Sequence, residues 1–219
     1  MTTSNKQAVG SGYVLEQMQL ARERTWEVVD RVSKQIEPGM RESEAVAYCK
    51  DMIAELGADR IWHQVIVRFG ENTLKTFKQR SDGDPVLREN DTFFIDLGIV
   101  WNGHEGDAGA TYAVGHDDDM TACAAAARTL FDEVRHHWEA TRASGSALYA
   151  FAEQRAEALG WRLNLDIKGH RVSDFPHAIY KAGDLGDFEH CPDVGLWILE
   201  IQIAHPTRPF GAFYEDLLV

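Results

Sequence analysis

The chain begins with apolar and charged residues that alternate with the period of an α-helix. Apolar side chains recur at helical spacing from about residue 13 to residue 36, and Glu37-Pro38-Gly39-Met40 then ends the pattern. A second stripe with the same period begins near Ser43 and runs to Leu56, where Gly57 stops it. The pattern predicts two consecutive amphipathic helices, each with one face against a core.

Apolar runs then replace the helical pattern and predict strands. Residues 60–69 form one such run, and a polar connection over residues 75–90 follows it, which we expect to be exposed. A strongly apolar strand, Thr92-Phe93-Phe94-Ile95, comes next. The pair Asn102-Gly103 favours a tight turn, so a second strand should return as far as Val114. This region is predicted to be a β-hairpin.

The same order of elements occurs again in the rest of the chain. Two helical patterns come first, at residues 117–140 and 146–159. Three apolar strands follow, at residues 161–167, 195–203 and 210–219. We interpret this as an α+β fold in which helices cover a curved antiparallel sheet. Residues 1–219 are expected to form one domain with two similarly organised halves, roughly 11–115 and 116–219.

Composition narrows the possible partners. The 219 residues contain 44% hydrophobic and 26% charged residues, as in an ordinary globular protein. The net charge of -13 argues against nucleic acid, because phosphate binding needs a basic patch. Cys49, Cys123 and Cys191 form no closely spaced pair, which argues against a thiolate zinc site. No apolar run is long enough to span a membrane or to serve as a signal peptide, so we expect a cytoplasmic protein.

Each predicted hairpin carries two carboxylates. Asp96 and Asp107 belong to the first, and Glu200 and Glu215 belong to the second. Like charges placed that close need a proton or a cation between them. With His170 on a nearby loop, they form a set of oxygen and imidazole ligands suited to Mn, Fe, Co or Zn. Four carboxylates would be neutralised by two divalent ions, and such a pair would activate a bridging water.

Each of these residues also has a simpler interpretation when taken alone. Asp96 could cap a turn, Asp107 could be an ordinary turn residue, and Glu215 could lie on a solvated edge. His170 could be a loop histidine whose hydrogen bonds are satisfied. Glu200 is harder to explain in this way, because it interrupts a continuous apolar strand and needs a partner there. The joint pattern is therefore more informative than any single member.

The order and spacing of these five residues resemble the metal ligands of the methionine aminopeptidase and Xaa-Pro peptidase superfamily. Further segments resemble that superfamily's motifs: Glu37-Pro38-Gly39, Gly70-Glu71-Asn72, Asp96-Leu97-Gly98, Gly169-His170 and Tyr214-Glu215-Asp216. The resemblance extends over nearly the whole chain. It implies the "pita-bread" fold, an α+β domain with pseudo-two-fold symmetry and two metal ions in its cleft.

The resemblance also implies a role for each residue. Asp107 and Glu215 would bridge two divalent ions. Asp96 would hold one ion, while His170 and Glu200 would hold the other. Glu200 would also carry a proton for the bridging water. His177 falls where the superfamily places a histidine that contacts the substrate carbonyl or the intermediate, although it could instead be a surface loop histidine.

The sequence departs from the superfamily at positions that handle the substrate. A further histidine of the peptidases falls here on Phe77 or Lys78, depending on the direction of counting, and neither is histidine. The Thr-Arg-Thr-like run after the second aspartate is Gly109-Ala110-Thr111, which lacks the arginine. Trp62, His63 and Phe77 are the candidates for lining a remodelled pocket, with Trp62 equally well explained as a core residue.

These observations lead to one principal hypothesis and two alternatives. The principal hypothesis is a dinuclear hydrolase that cleaves an amide bond of a small peptide, as an aminopeptidase or an Xaa-Pro dipeptidase would. The first alternative uses the same metals for another reaction, such as lyase chemistry on a small metabolite. The second is a non-catalytic peptide-binding module that has kept the fold. A homodimer is expected only from the resemblance.

Overall fold

The computed structural model describes residues 6–176 and 182–219, and its elements follow the predicted order. The helices are α1 (Leu15–Ser33), α2 (Glu42–Glu55), α3 (Asp118–Thr141) and α4 (Gly145–Ala158). The strands are β1 (Arg60–Ile61), β2 (Ile66–Phe69), β3 (Asp91–Trp101), β4 (His104–Val114), β5 (Arg162–Leu163), β6 (His170–Arg171), β7 (Trp197–Ala204) and β8 (Gly211–Leu217). Among the helices of the described residues, none has the length and apolar character needed to cross a bilayer.

The strands form one antiparallel sheet in the order β1-β3-β4-β8-β7-β5, with β2 paired to β3 and β6 paired to β7. The predicted two-residue turn joins β3 to β4, with φ of 48° at Asn102 and 72° at Gly103. Positive φ at both positions is what the twist of a tight hairpin requires. β4 then pairs with β8 at Gly109 and Glu215. This pairing sets the β7–β8 hairpin beside the β3–β4 hairpin.

Alternation along the strands places the carboxylates on one face of the sheet. Successive side chains point to opposite faces, so Asp96 faces away from Ile95 and Leu97, which join the core beneath α1 and α2. In β7, Leu199 packs in the core formed with α3 and α4, and its neighbour Glu200 faces away from that core. The same rule applies to β4 and β8. The face away from the helices therefore carries Asp96, Asp107, Glu200 and Glu215.

Two predicted strands are shorter than expected. The run 60–69 splits into β1 and β2, because the Trp62 amide donates to Gly98 O (3.0 Å) and the chain then leaves the ladder. The run 161–167 contributes only β5. There the Asn164 side chain donates to Gln202 Oε1 (2.7 Å) and accepts from the Asp166 amide (3.0 Å). This side chain–backbone turn ends the strand.

The connection over residues 75–90 is anchored to the fold even though most of it is exposed. The Gly70-Glu71-Asn72 motif lies in a 3₁₀ turn (Gly70–Leu74), where the Asn72 side chain donates to Glu42 Oε2 (3.1 Å) and accepts from the Asp82 amide (3.0 Å). Leu87 is buried. These contacts hold the connection against α2 and place its first residues near the face of the sheet that carries the carboxylates.

Candidate metal centre

The four carboxylates converge where the two hairpins meet. Glu200 and Glu215 lie directly opposite each other in the β7–β8 ladder. In the β3–β4 ladder Asp107 lies opposite Gly98, two residues from Asp96. All four are buried, with exposed fractions of 8% for Asp96, 7% for Glu200 and 1% for Asp107 and Glu215. So many buried carboxylates require compensating positive charge.

His170 reaches the same centre from the short strand β6, which pairs with β7. Its Nε2 lies 3.0 Å from Asp107 Oδ2, and its Nδ1 lies 3.0 Å from the Arg171 carbonyl oxygen. A carbonyl beside one ring nitrogen fixes the orientation of the ring and directs the other nitrogen at the carboxylates. The structure thus brings together all five residues of the predicted ligand set.

A second histidine enters the centre from the opposite side. His63 lies in the gap between β1 and β2, with Nε2 3.1 Å from Asp107 Oδ1 and 3.5 Å from Asp96 Oδ1. Sequence reasoning placed it only among the pocket residues. The available signal was the polar interruption, His63-Gln64, inside an otherwise apolar run.

Hydrogen bonds position Glu200 on both sides. Its Oε2 accepts from the Gly169 amide (2.7 Å), and Oε1 accepts no hydrogen bond from the part of the chain that the structure describes. The Tyr149 hydroxyl donates to the Glu200 carbonyl oxygen (2.8 Å) and accepts from the Glu200 amide (3.2 Å). Tyr149 was not predicted, since nothing in the helical pattern of α4 distinguishes it from a core residue.

Burial raises the pKa of three of the carboxyls, because it penalises their charged form. It raises the pKa of Asp96 to about 6, although the charge of His63 opposes the shift. It raises the pKa of Glu200 to about 7, although the charge of His170 opposes that shift. The pKa of Glu215 lies well above its ordinary value through burial, with Asp107 and Asp96 adding to the effect.

Asp107 and the two histidines shift in the opposite sense. Burial would raise the pKa of Asp107, but His63 and His170 outweigh it and lower the pKa to about 2. Burial would lower the pKa of each histidine, but Asp107 raises it, to about 9 for His63 and about 10 for His170. Protons and metal ions therefore compete for the same atoms of this centre.

The residues present fit a divalent metal. Glu215 Oε1 is buried without a hydrogen-bond partner among the described residues, which leaves an unsatisfied oxygen that a cation could engage. Two groups offer ligand atoms within 4.8 Å of one another: His63, Asp96 and Asp107, and Asp107, His170 and Glu215. Asp107 belongs to both groups. Carboxylate oxygens with one imidazole per group suit transition-metal ions.

The centre borders a cavity of about 330 Å³. Trp62, His63 and Phe77, the three predicted pocket residues, all line it. Lys78 lines it as well, so both positions where the superfamily histidine falls border the cavity without supplying an imidazole. The indole Nε1 of Trp62 donates to the Gly106 carbonyl (3.2 Å), which ties this wall to the hairpin.

The model of metallopeptidase family M24 matches residues 16–218 of the chain. The chain belongs to this family. The match confirms the resemblance seen in the ligand pattern and motifs. No curated protein matches the sequence.

Solved structures of several peptidases share the fold of this M24 chain. A prolidase from Thermococcus sibiricus matches 94% of the chain with a TM-score of 0.72 and 20% identity. An X-Pro aminopeptidase from Thermotoga maritima matches 92% with a TM-score of 0.70 and 18% identity. The M24 chain covers 56% of each of these two proteins, so it spans little more than half their length.

A shorter relative is matched over nearly its whole length. A methionine aminopeptidase from Thermotoga maritima has a TM-score of 0.69 and 16% identity, with 96% of the M24 chain and 91% of that protein covered. At such identities the likeness establishes the fold, and it confirms the predicted pita-bread architecture. His177, predicted to contact the substrate, lies outside the described residues.

Proposed function

We propose that this M24 chain is a dinuclear metal-dependent hydrolase that cleaves an amide bond of a small peptide, as an aminopeptidase or an Xaa-Pro dipeptidase does. The observation that carries the proposal is the convergence of four buried carboxylates and His170, with Glu215 Oε1 lacking a hydrogen-bond partner among the residues that the structure describes. Two divalent ions would balance the charge of the four carboxylates, whereas one would leave two buried negative charges uncompensated.

In the proposed site, Asp96 would help to hold one divalent ion, His170 and Glu200 would help to hold the other, and Asp107 and Glu215 would serve both. The place of Asp107 in both candidate groups supports its bridging role. When bound, the ions would polarise the scissile carbonyl and lower the pKa of an attacking water.

Glu200 is the residue we assign to proton transfer. Its Oε2 is engaged by the Gly169 amide, so Oε1 is the atom available to take a proton and to pass it to the leaving amine. In the metal-free chain burial raises the pKa of this carboxyl to about 7. His177 as the contact of the developing oxyanion stays a prediction.

The cavity favours a small substrate. Its volume of about 330 Å³ is at the lower end of the range for small-molecule sites. Apolar walls at Trp62, Ile66 and Ile167 would cover the side chain of a short peptide, while the carboxylates would face its reacting bond. The X-Pro and prolidase activities in the names of the structural relatives make Xaa-Pro dipeptides the first substrates to try.

The test is a peptidase assay on protein reloaded with Mn²⁺, Co²⁺ or Zn²⁺ after chelation. Xaa-Pro dipeptides and peptides with an N-terminal methionine form the panel, and release of the free N-terminal amino acid is the readout. We expect metal-dependent turnover of at least one peptide, lowered by roughly 10²- to 10⁴-fold in Glu200→Gln. Absence of turnover throughout the panel with metal bound would reject the peptidase.

A second candidate function has a specific observation in its favour. The position at which the peptidases carry a histidine beside the substrate amide falls here on Phe77 or Lys78, and both of these residues line the cavity. The same metals acting on a small metabolite, in a lyase or another hydrolase reaction, would not need that contact. Peptide binding without turnover would instead indicate the non-catalytic module.

The division into halves 11–115 and 116–219 belongs to the same proposal. Each half supplies one hairpin and two of the four carboxylates, so neither half alone would contain the site. We therefore expect one cooperative melting transition, whose midpoint temperature rises when metal is added. Homodimer formation stays a prediction.

A further inference from the structure

His63 approaches the centre as a metal ligand would. Its Nε2 lies 3.1 Å from Asp107 Oδ1 and 3.5 Å from Asp96 Oδ1, and the three side chains offer ligand atoms within 4.8 Å of one another. Two atoms that are each about 2.1 Å from one ion, at nearly a right angle, are about 3 Å apart. The Nε2–Oδ1 separations, which in the metal-free chain are those of a hydrogen bond and an ion pair, therefore also match the spacing of atoms that share an ion.

The other ring nitrogen determines what Nε2 can do. His63 Nδ1 lies 2.9 Å from the Gln64 carbonyl oxygen, which can only accept a hydrogen bond. A neutral imidazole must then carry its proton on Nδ1, and the lone pair of Nε2 faces two carboxylates. Such a contact needs a positive charge at Nε2, which a proton supplies in the metal-free chain and a metal ion would supply in its place. A carbonyl behind the ring is also the usual outer partner of a metal-bound histidine.

The fold leaves space for this ring. Gly98 lies opposite Asp107 in the ladder, and a Cβ at Gly98 would overlap Cδ2 and Nε2 of His63. The Trp62 ring packs edge-on against the imidazole, with centroids 4.5 Å apart. His63 thus occupies a slot that exists because residue 98 has no side chain.

We propose that His63 is a sixth protein ligand, which binds through Nε2 to the ion held by Asp96 and Asp107. The inference rests on the proposed dinuclear site and deepens it. Each ion then receives one imidazole, His63 on the Asp96 side and His170 on the Glu200 side. Imidazole favours Zn²⁺, Fe²⁺ or Co²⁺ over Mn²⁺ or Mg²⁺, so both ions are expected to share that preference.

The test is a titration of metal-free protein with Co²⁺, monitored both by calorimetry and by visible absorption. His63→Phe keeps a ring over Gly98 but removes both nitrogens, and His136→Ala changes an exposed histidine of α3 as the matched control. Wild type and His136→Ala are expected to bind two ions. His63→Phe should bind one ion with unchanged affinity and the other at least about tenfold more weakly.

Gly98→Ala provides a second variant that retains the histidine. The added methyl should displace the ring and reproduce the loss of affinity at one ion. Pulsed EPR of Mn²⁺-loaded protein should also show coupling to a histidine nitrogen in His170→Phe, because His63 remains.

These outcomes separate the two proposals. Two ions bound with unchanged affinity by His63→Phe, or no nitrogen coupling in His170→Phe, would overturn the role of His63 while leaving the dinuclear site standing. Failure of the wild type to bind any ion would overturn both.

Discussion

The two hairpins that build the centre differ in how they hold their carboxylates. In β3–β4, a two-residue turn fixes the register, and His63 and His170 lower the pKa of Asp107 to about 2. In β7–β8, Glu200 and Glu215 face each other directly, and burial raises the pKa of both. In the first hairpin Asp107 therefore stays ionised while burial raises the pKa of Asp96, whereas in the second hairpin burial raises the pKa of both carboxyls.

The largest effect is expected from removing the anion of the first hairpin. Asp107→Asn should lose both ions and all turnover, because Asp107 is a member of both candidate metal groups. The loss of affinity should exceed the 10- to 100-fold typical of removing an outer partner. Elemental analysis after desalting measures it, and Asp166→Asn, a change at an exposed carboxylate on the cavity wall, is the control that should keep both ions. Full metal content in Asp107→Asn would contradict the bridging role.

In the second hairpin, replacing a carboxylate by its amide should lower turnover more than it lowers metal binding. Glu200→Gln is expected to keep the Asp96-side ion and to lower kcat by roughly 10²- to 10⁴-fold, the usual contribution of proton transfer. Steady-state kinetics with parallel metal analysis separates the two effects. Glu105→Gln makes the same change at a carboxylate that is 1% exposed and accepts from the Ser173 amide, and it should remain active. Unchanged kcat in Glu200→Gln would assign the proton to another group.

Metal-free protein should be more stable at mildly acidic than at alkaline pH. The raised pKa of Glu200, about 7 against 4.5, adds stability as pH falls through that interval. The raised values of His63 and His170, about 9 and about 10 against 6.5, give stability that is complete below 6.5 and is lost as pH rises. The low pKa of Asp107, about 2 against 3.8, removes stability only below 3.8.

Thermal melts of chelated protein at pH 5.5 and pH 8.5 measure this effect. The melting temperature is expected to be higher at pH 5.5, by about 2–4 °C for each kcal/mol. Stabilisation by added metal should instead increase as the pH rises, since metal needs deprotonated ligands. A metal-free protein that is more stable at pH 8.5 would show that the centre is not charged as the structure indicates.

The smallest effect concerns the turn of the first hairpin. Gly103→Ala places a side chain at φ of 72° and should cost about 1–2 kcal/mol of unfolding free energy. Thr207→Ala, in the exposed link between β7 and β8, should cost little. Denaturant unfolding compares the two variants. Equal losses would mean that the tight turn does not distinguish the hairpins.

Local pattern was enough to single out two of the candidate ligands, Asp96 and Glu200, but not the residues around them. Asp96 and Glu200 stood out because a carboxylate in an apolar strand needs a partner, and period-two alternation then fixes its face. His63 can contact the carboxylates only because its ring packs closely over Gly98, which lies 35 residues further along the chain. The early end of β5 depends on Asn164 meeting Gln202 across the sheet. Such contacts exist only after folding, so spacing along the chain does not reveal them.

The most direct test is the metal content of the wild-type chain. Protein stripped with a chelator is reloaded with excess Co²⁺, desalted and analysed for cobalt and protein together. Two ions per chain, both lost from Asp107→Asn, is the predicted result. One ion per chain would contradict the dinuclear site, and none would contradict a metal centre at these carboxylates.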